Sequence, residues 1–129
     1  MNENEIAKVV VDASYHLHKR LGPGVFESVY EVILAHELKK LRLDVKRQVP
    51  IPIVWDGLIF DEGFRVDMIV NDLLVIELKS VEKLAPVHSK QLLTYLRLTE
   101  RRLGLLINFG EELIRDGIKR IANGLPNDS

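Results

Sequence analysis

The sequence predicts an α/β domain: a central mixed β-sheet flanked by helices, with elements in the order α-α-β-β-β-α-β-β. Three observations predict it. Apolar residues recur at helical spacing through roughly the first forty positions, β-like alternation replaces them from Val45, and a helical stretch from Pro86 to about Thr99 then separates two apolar strand runs. That last order, strand-helix-strand, is the order of a parallel crossover. With 129 residues, 47% of them hydrophobic, the chain has the length for one domain around one core. The domain is read over 1–129, with its core at about 6–123 and a loose tail at 126–129.

The first helix is read from Glu5 to Leu21, where Ile6, Val9, Val10, Ala13, Leu17 and Leu21 form one apolar stripe and Gly22-Pro23-Gly24 ends it. A second is read from about Val25 to Leu41, with Val29, Val32, Ile33 and His36 on its buried side. Lys39, Lys40 and Arg42 lie near its C-terminal end, where cations suit the helix dipole. Val45, Val49, Ile51 and Ile53 then alternate with Lys46, Gln48, Pro50 and Pro52, an edge strand or a bulge given the prolines. Asp56-Gly57 reads as a turn, Leu58 to Phe60 as an extension of the sheet, and Glu62-Gly63 as another turn. Trp55 is expected to pack in or beside the sheet.

Phe64 to Val70 and Leu73 to Val81 form a predicted hairpin. On its second strand Leu74, Ile76 and Leu78 share one face, while Val75, Glu77, Lys79 and Val81 share the other. A two-residue Asn71-Asp72 turn would pair Asp67 with Ile76, whereas a three-residue Asn71-Asp72-Leu73 loop or a bulge would place Asp67 opposite Glu77. Pro86 suits the first turn of the third helix, with Leu84, Leu92, Leu93 and Leu96 toward the core. Leu103 to Asn108 follows as a buried strand, and Asp116-Gly117 favours a turn before a final strand.

Composition removes several classes of function. The absence of cysteine excludes disulfides, thiolate metal sites and cysteine nucleophiles. The polar start, Met1 to Glu5, lacks the basic and apolar regions of a signal peptide, and no stretch reaches the length of a membrane span. The expectation is a cytoplasmic protein with no membrane partner. A formal charge of -1 means that any affinity for nucleic acid comes from a local patch or a bound cation. His16, His18, His36 and His88 have no zinc-site spacing and read as surface or packing residues.

Asp67, Glu77 and Lys79 are charges set into otherwise apolar strand sequence. Withdrawing a carboxylate from water costs several kcal/mol unless a counter-charge, hydrogen bonds or a metal compensates it, so their convergence points to a divalent-cation site. Asp67 and Glu77 would supply two oxygen ligands and the Leu78 carbonyl a third, with Lys79 beside them to orient or deprotonate a water or to neutralise a phosphate. Such a set suits phosphodiester hydrolysis with Mg²⁺ or Mn²⁺. The competing reading is a surface ion pair between Glu77 and Lys79. Glu27, in the first turn of the second helix, is a further carboxylate or a dipole-favoured cap, and Gln91 and Tyr95 share one helix face as site groups or as plain surface residues.

Asp67, then Glu77-x-Lys79, preceded by helical Glu27 and followed by Gln91-x-x-x-Tyr95, resembles the PD-(D/E)XK nuclease superfamily, in particular its RecB-like exonuclease branch. Gly24-Val25-Phe26-Glu27-Ser28-Val29-Tyr30 resembles the signature of the small GxxExxY family, as do Asn108-Phe109-Gly110 and Asp116 to Arg120 its C-terminal part. The resemblance implies a restriction-endonuclease-like core and a nuclease using Mg²⁺ or Mn²⁺ on nucleic acid, DNA rather than RNA; the short length leads separately to the expectation of a homodimer or larger complex. It implies Asp67 and Glu77 as metal-binding acids, Lys79 as the catalytic lysine, and Glu27 as an acid that supports the metal through water. Gln91 and Tyr95 would hold the lysine or the nucleic-acid backbone. Val66 stands where the superfamily's name has proline. Tyr30 belongs to the signature without an assigned chemistry, and packing beside Glu27 is its expected role. The alternatives kept open are a catalytically silent nucleic-acid-binding or accessory protein, and a structural or partner-binding domain.

Overall fold

A computed structural model describes residues 1–126; the rest of the expected tail, 127–129, lies outside the described residues. Helices α1 (Glu3–Leu21) and α2 (Glu27–Lys40) precede strands β1 (Val45–Trp55), β2 (Leu58–Val70) and β3 (Leu74–Lys79). Helix α3 (Pro86–Leu98), strand β4 (Leu103–Asn108), a 3₁₀ turn (Ile114–Gly117) and β5 (Ile118–Ala122) follow. The sheet order is β1-β2-β3-β4-β5, with β3 and β4 parallel and joined through α3 and the other neighbouring pairs antiparallel. This is the expected mixed α/β sheet with helices on its faces.

Two apolar layers hold it. Leu74, Ile76 and Leu78 of β3, with Leu103, Leu105 and Ile107 of β4, pack under α1 and α2 against Ile6, Val10, Tyr30, Leu34 and Leu38. On the opposite face Val75, Ile69 and Leu106 meet Leu92 and Leu96 of α3. The strand alternation read from the sequence therefore has a helix waiting on each side. Helix α1 starts two residues earlier than expected because Asn2 and Glu5 form a capping box, each side chain accepting the other's backbone N–H.

Three expectations need correction. Helix α2 buries Tyr30, Glu31, Leu34, Ala35 and Leu38, whereas Val29, Val32 and His36 are exposed and Ile33 is half-buried. Its apolar residues surround the helix, so hydrophobicity alone did not define the phase, and the buried Glu31 is made tolerable by bonds to Arg47 and Gln48. Glu62-Gly63 is no turn: β2 runs unbroken through it, and the register shifts so that Pro52 alone opposes Asp61, Glu62 and Gly63. The turn-like residues mark a bulge, where a side chain at Gly63 would strike Ile53. Beyond that bulge β1 and β2 form an arm on which Val54, Trp55, Leu58, Ile59 and Phe60 are exposed, so Trp55, with 69% of its surface accessible, packs against no core.

Candidate active site

The β2–β3 loop decides the geometry. Asn71 and Asp72 both take left-handed backbone (φ 51° and 57°), which Asn and Asp tolerate better than other side chains, and Leu73 completes a three-residue loop. Val70 then pairs with Leu74 and Met68 with Ile76, so the next pair in register is Asp67 and Glu77. At that pair the backbone ladder gives way to side chains. Asp67 N–H donates to Glu77 Oε1 at 3.2 Å, and Leu78 N–H donates to Asp67 Oδ2 at 2.8 Å. In an extended strand the N–H and C=O of one residue face the same side, so the Leu78 carbonyl also faces β2. Lys79 follows on the Glu77 face, and its own carbonyl accepts Phe109 N–H at 2.9 Å on the β4 side.

Electrostatics mark Glu77. It is 7% exposed, and burial together with the neighbouring Asp67 charge raises its pKa from 4.5 to about 8, against the lowering effects of Asp67 N–H and Lys79. Tyr95 leans into the same group from α3, its ring stacked on Phe64 with centroids 4.3 Å apart. Burial and the Glu77 and Asp67 charges raise its hydroxyl above the ordinary value, so it remains a donor at neutral pH. Gln91, one turn earlier, is exposed and takes no part in the hydrogen bonds that join these residues.

Glu27 arrives from the opposite layer, on a start of α2 that is tied down at several points. Tyr30, fully buried and stacked on Phe109 at 4.5 Å, donates its hydroxyl to Gly22 C=O at 2.6 Å, and the same oxygen accepts Val25 N–H at 3.4 Å. Ser80 Oγ, just past Lys79, donates to Val25 C=O at 2.8 Å. Gly22 and Gly24 supply the positive φ values (77° and 106°) of the intervening turn. Tyr30 is thus a core residue that ties the turn before Glu27 to Phe109. Partial withdrawal from water raises the Glu27 pKa, with Asp67 and Glu31 adding to the effect and Lys79 and Ser80 N–H opposing it. Behind β3, buried Asn108 accepts Val81 N–H and Gly110 N–H and donates to Val81 C=O, fixing the chain after Lys79.

Sequence reasoning missed three groups. Glu31 lies one turn after Glu27 on α2, and its buried carboxylate accepts Arg47 at 2.9 Å and Gln48 Nε2 at 2.6 Å; Gln48 Nε2 also reaches Asp67 Oδ1 at 3.4 Å. The available signal was the i, i+4 spacing from Glu27. Arg47 is thus an ion-pair partner of Glu31, as is Lys40 of Glu37.

Among the described residues no group of three or more His, Asp or Glu side chains is disposed to hold a metal ion. The donor chemistry nevertheless fits one hard cation: two adjacent carboxylates whose mutual repulsion a cation would relieve, and a backbone carbonyl facing them. A cavity of about 830 Å³ between α1 and α2, lined by Val9, Ala13, Leu17 and Ile33, shares no residue with this group. Among the described residues no helix is long and apolar enough to cross a membrane.

A family model described as the PD-(D/E)XK nuclease superfamily matches residues 4–121. No curated protein and no solved structure matches the chain.

Proposed function

The chain belongs to the PD-(D/E)XK nuclease superfamily, and from that premise we propose that it hydrolyses DNA phosphodiester bonds by attack of water, with Mg²⁺ or Mn²⁺ as cofactor. The observation that carries this reading is the Asp67–Glu77 pair, two carboxylates on adjacent strands, Glu77 accepting the Asp67 N–H and Asp67 accepting the Leu78 N–H, with Lys79 on the same face. Asp67, Glu77 and the Leu78 carbonyl would hold the cation, which would supply Lewis acidity and lower the pKa of a bound water. Lys79 would orient the attacking water or take its proton, and would offset phosphate charge. Glu27 would support the cation, and Tyr95 would donate its hydroxyl toward the acids or the nucleic-acid backbone. Gln91 is assigned the backbone. The Gly24-x-x-Glu27-x-x-Tyr30 signature supports placement in the GxxExxY group within the RecB-like branch, with residues 1–129 acting as one domain and a homodimer or larger complex completing substrate choice.

A second reading has its own observation. With no third carboxylate in ligating reach among the described residues, a nucleic-acid-binding protein that keeps the fold without turnover is the alternative. The test is cleavage of single-stranded, double-stranded and branched DNA and RNA with Mg²⁺ or Mn²⁺, comparing wild type with folded Lys79→Ala and Asp67→Ala. Cleavage abolished in both variants is the expected result. Binding without wild-type cleavage supports the silent protein, and equal cleavage by all three removes these residues from the chemistry.

A further inference from the structure

We propose that Gln48 is a positioning residue that aims the Asp67 carboxylate, anchored in turn by Glu31 and Arg47; the inference rests on the cation-dependent reading above. Gln48 lies in the middle of β1 yet takes left-handed backbone (φ 51°), a conformation that side chains other than Gly, Asn and Asp seldom adopt. Consecutive residues of a strand point to opposite faces. Arg47 and Gln48 nevertheless both reach Glu31, so alternation fails at this point.

The packing shows the same reversal. Val45 belongs to the layer under α1 and α2, whereas Val49 and Ile51, of the same parity, pack in the layer under α3. Across the ladder Met68 and Val70 belong to the first layer, and Val66 and Phe64 to the second. Both strands roll over between Arg47↔Met68 and Val49↔Val66, which is where Gln48 faces Asp67. Strained backbone of this kind persists where its surroundings over-determine it, and it gathers at functional sites.

The roll delivers one amide group to two acids. Gln48 Nε2 donates to Glu31 Oε1 at 2.6 Å and to Asp67 Oδ1 at 3.4 Å, and nitrogen must face them because the amide oxygen would repel both. Leu78 N–H holds the other Asp67 oxygen at 2.8 Å. Asp67 is therefore gripped on both oxygens, from β1 and from β3, leaving its carboxylate plane little freedom. Glu31 is itself fixed by the Arg47 guanidinium, with Nε at 3.1 Å and Nη2 at 2.9 Å from Oε2.

The test measures Mn²⁺ affinity directly by titration calorimetry and compares wild type, Asp67→Ala, Gln48→Gly and Gln48→Asn, with melting temperature recorded for each. Glycine accepts the left-handed backbone freely and asparagine tolerates it, so both Gln48 variants should fold; one lacks the amide and the other is a methylene too short to bridge. The expected result is that both variants still unfold cooperatively, Gln48→Gly relaxing the backbone but losing the bond to buried Glu31, with Mn²⁺ affinity lower by about 10- to 100-fold in both, as for other partners of metal ligands. Unchanged Mn²⁺ affinity in Gln48→Gly, with binding lost in Asp67→Ala, would overturn the positioning role and leave the proposed function standing. So would a fall in melting temperature with no change in affinity. A wild-type protein that takes up no Mn²⁺ would overturn the proposed function and this inference together.

Discussion

Glu77→Gln should make the metal-free protein's stability much less dependent on pH, because it removes the one acid whose proton folding holds most strongly. Native Glu77 keeps its proton up to about pH 8, while the unfolded chain releases it near 4.5. Between those values the native state binds more protons than the unfolded state, so Glu77's contribution is complete below 4.5, declines as pH rises, and is gone above about 8. The window spans about 3.5 pH units, and at about 1.4 kcal/mol per unit the loss is at most about 5 kcal/mol. Glutamine is isosteric with the protonated acid and its carbonyl still accepts Asp67 N–H, so the variant keeps the fold without the titration. Urea denaturation in EDTA from about pH 5 to about pH 8.5, followed by circular dichroism because Trp55 is already exposed, compares the two proteins. Wild type should lose several kcal/mol relative to Glu77→Gln across that range. Glu27, also raised, and Glu3, lowered by its bonds to Arg102, titrate in both proteins and cancel in the difference. Parallel pH profiles for the two proteins, or a wild type that gains stability relative to the variant, would refute the assignment of that proton to Glu77.

Tyr30→Phe removes the hydroxyl that accepts Val25 N–H and donates to Gly22 C=O while keeping the ring on Phe109; the expected cost is about 1–3 kcal/mol in urea denaturation, and an unchanged midpoint would show that the turn before Glu27 is not held this way. Gly110→Ala drives a methyl into the backbone of Val81, which cannot rotate aside, and a loss of about 1–3 kcal/mol is expected; a wild-type melting temperature would contradict the close approach.

The sequence showed the site where local rules act one at a time. Loop parity reduced the register to two choices, Asp67 opposite Ile76 or opposite Glu77, and the three-residue loop Asn71-Asp72-Leu73 takes the second, with strand alternation putting Lys79 on the Glu77 face. Helix α3 and β4 followed from apolar period and from Pro86. Legibility failed where a polar side chain changes sides. Glu31 reads as solvent-facing until Arg47 and Gln48 are known to meet it, and Gln48 reads as an outward strand residue because nothing in glutamine announces a left-handed backbone. The arm failed for a different reason: β-branched and aromatic residues signal a strand equally well whether or not anything covers it, so Trp55 was expected to pack in or beside the sheet and is instead exposed.

The acids sit where the backbone ladder stops, and side-chain bonds to backbone N–H groups take its place there. Past Met68↔Ile76 the strands exchange no backbone bonds in register; Asp67 accepts the Leu78 N–H and Glu77 accepts the Asp67 N–H instead. Charge-assisted bonds of this kind contribute about 1.5–3 kcal/mol each, against several kcal/mol for withdrawing a carboxylate from water. For half-buried Asp67, with Gln48 and Leu78 both donating, the balance is close. Glu77 accepts one such N–H and is nearly enclosed, and the deficit is expressed as a retained proton. A divalent cation between them would replace that proton, so on the proposed function cation uptake near neutral pH releases H⁺ and tightens as pH rises toward about 8. The Asp67 and Leu78 N–H groups fix both carboxylates at the point where a cation would be held.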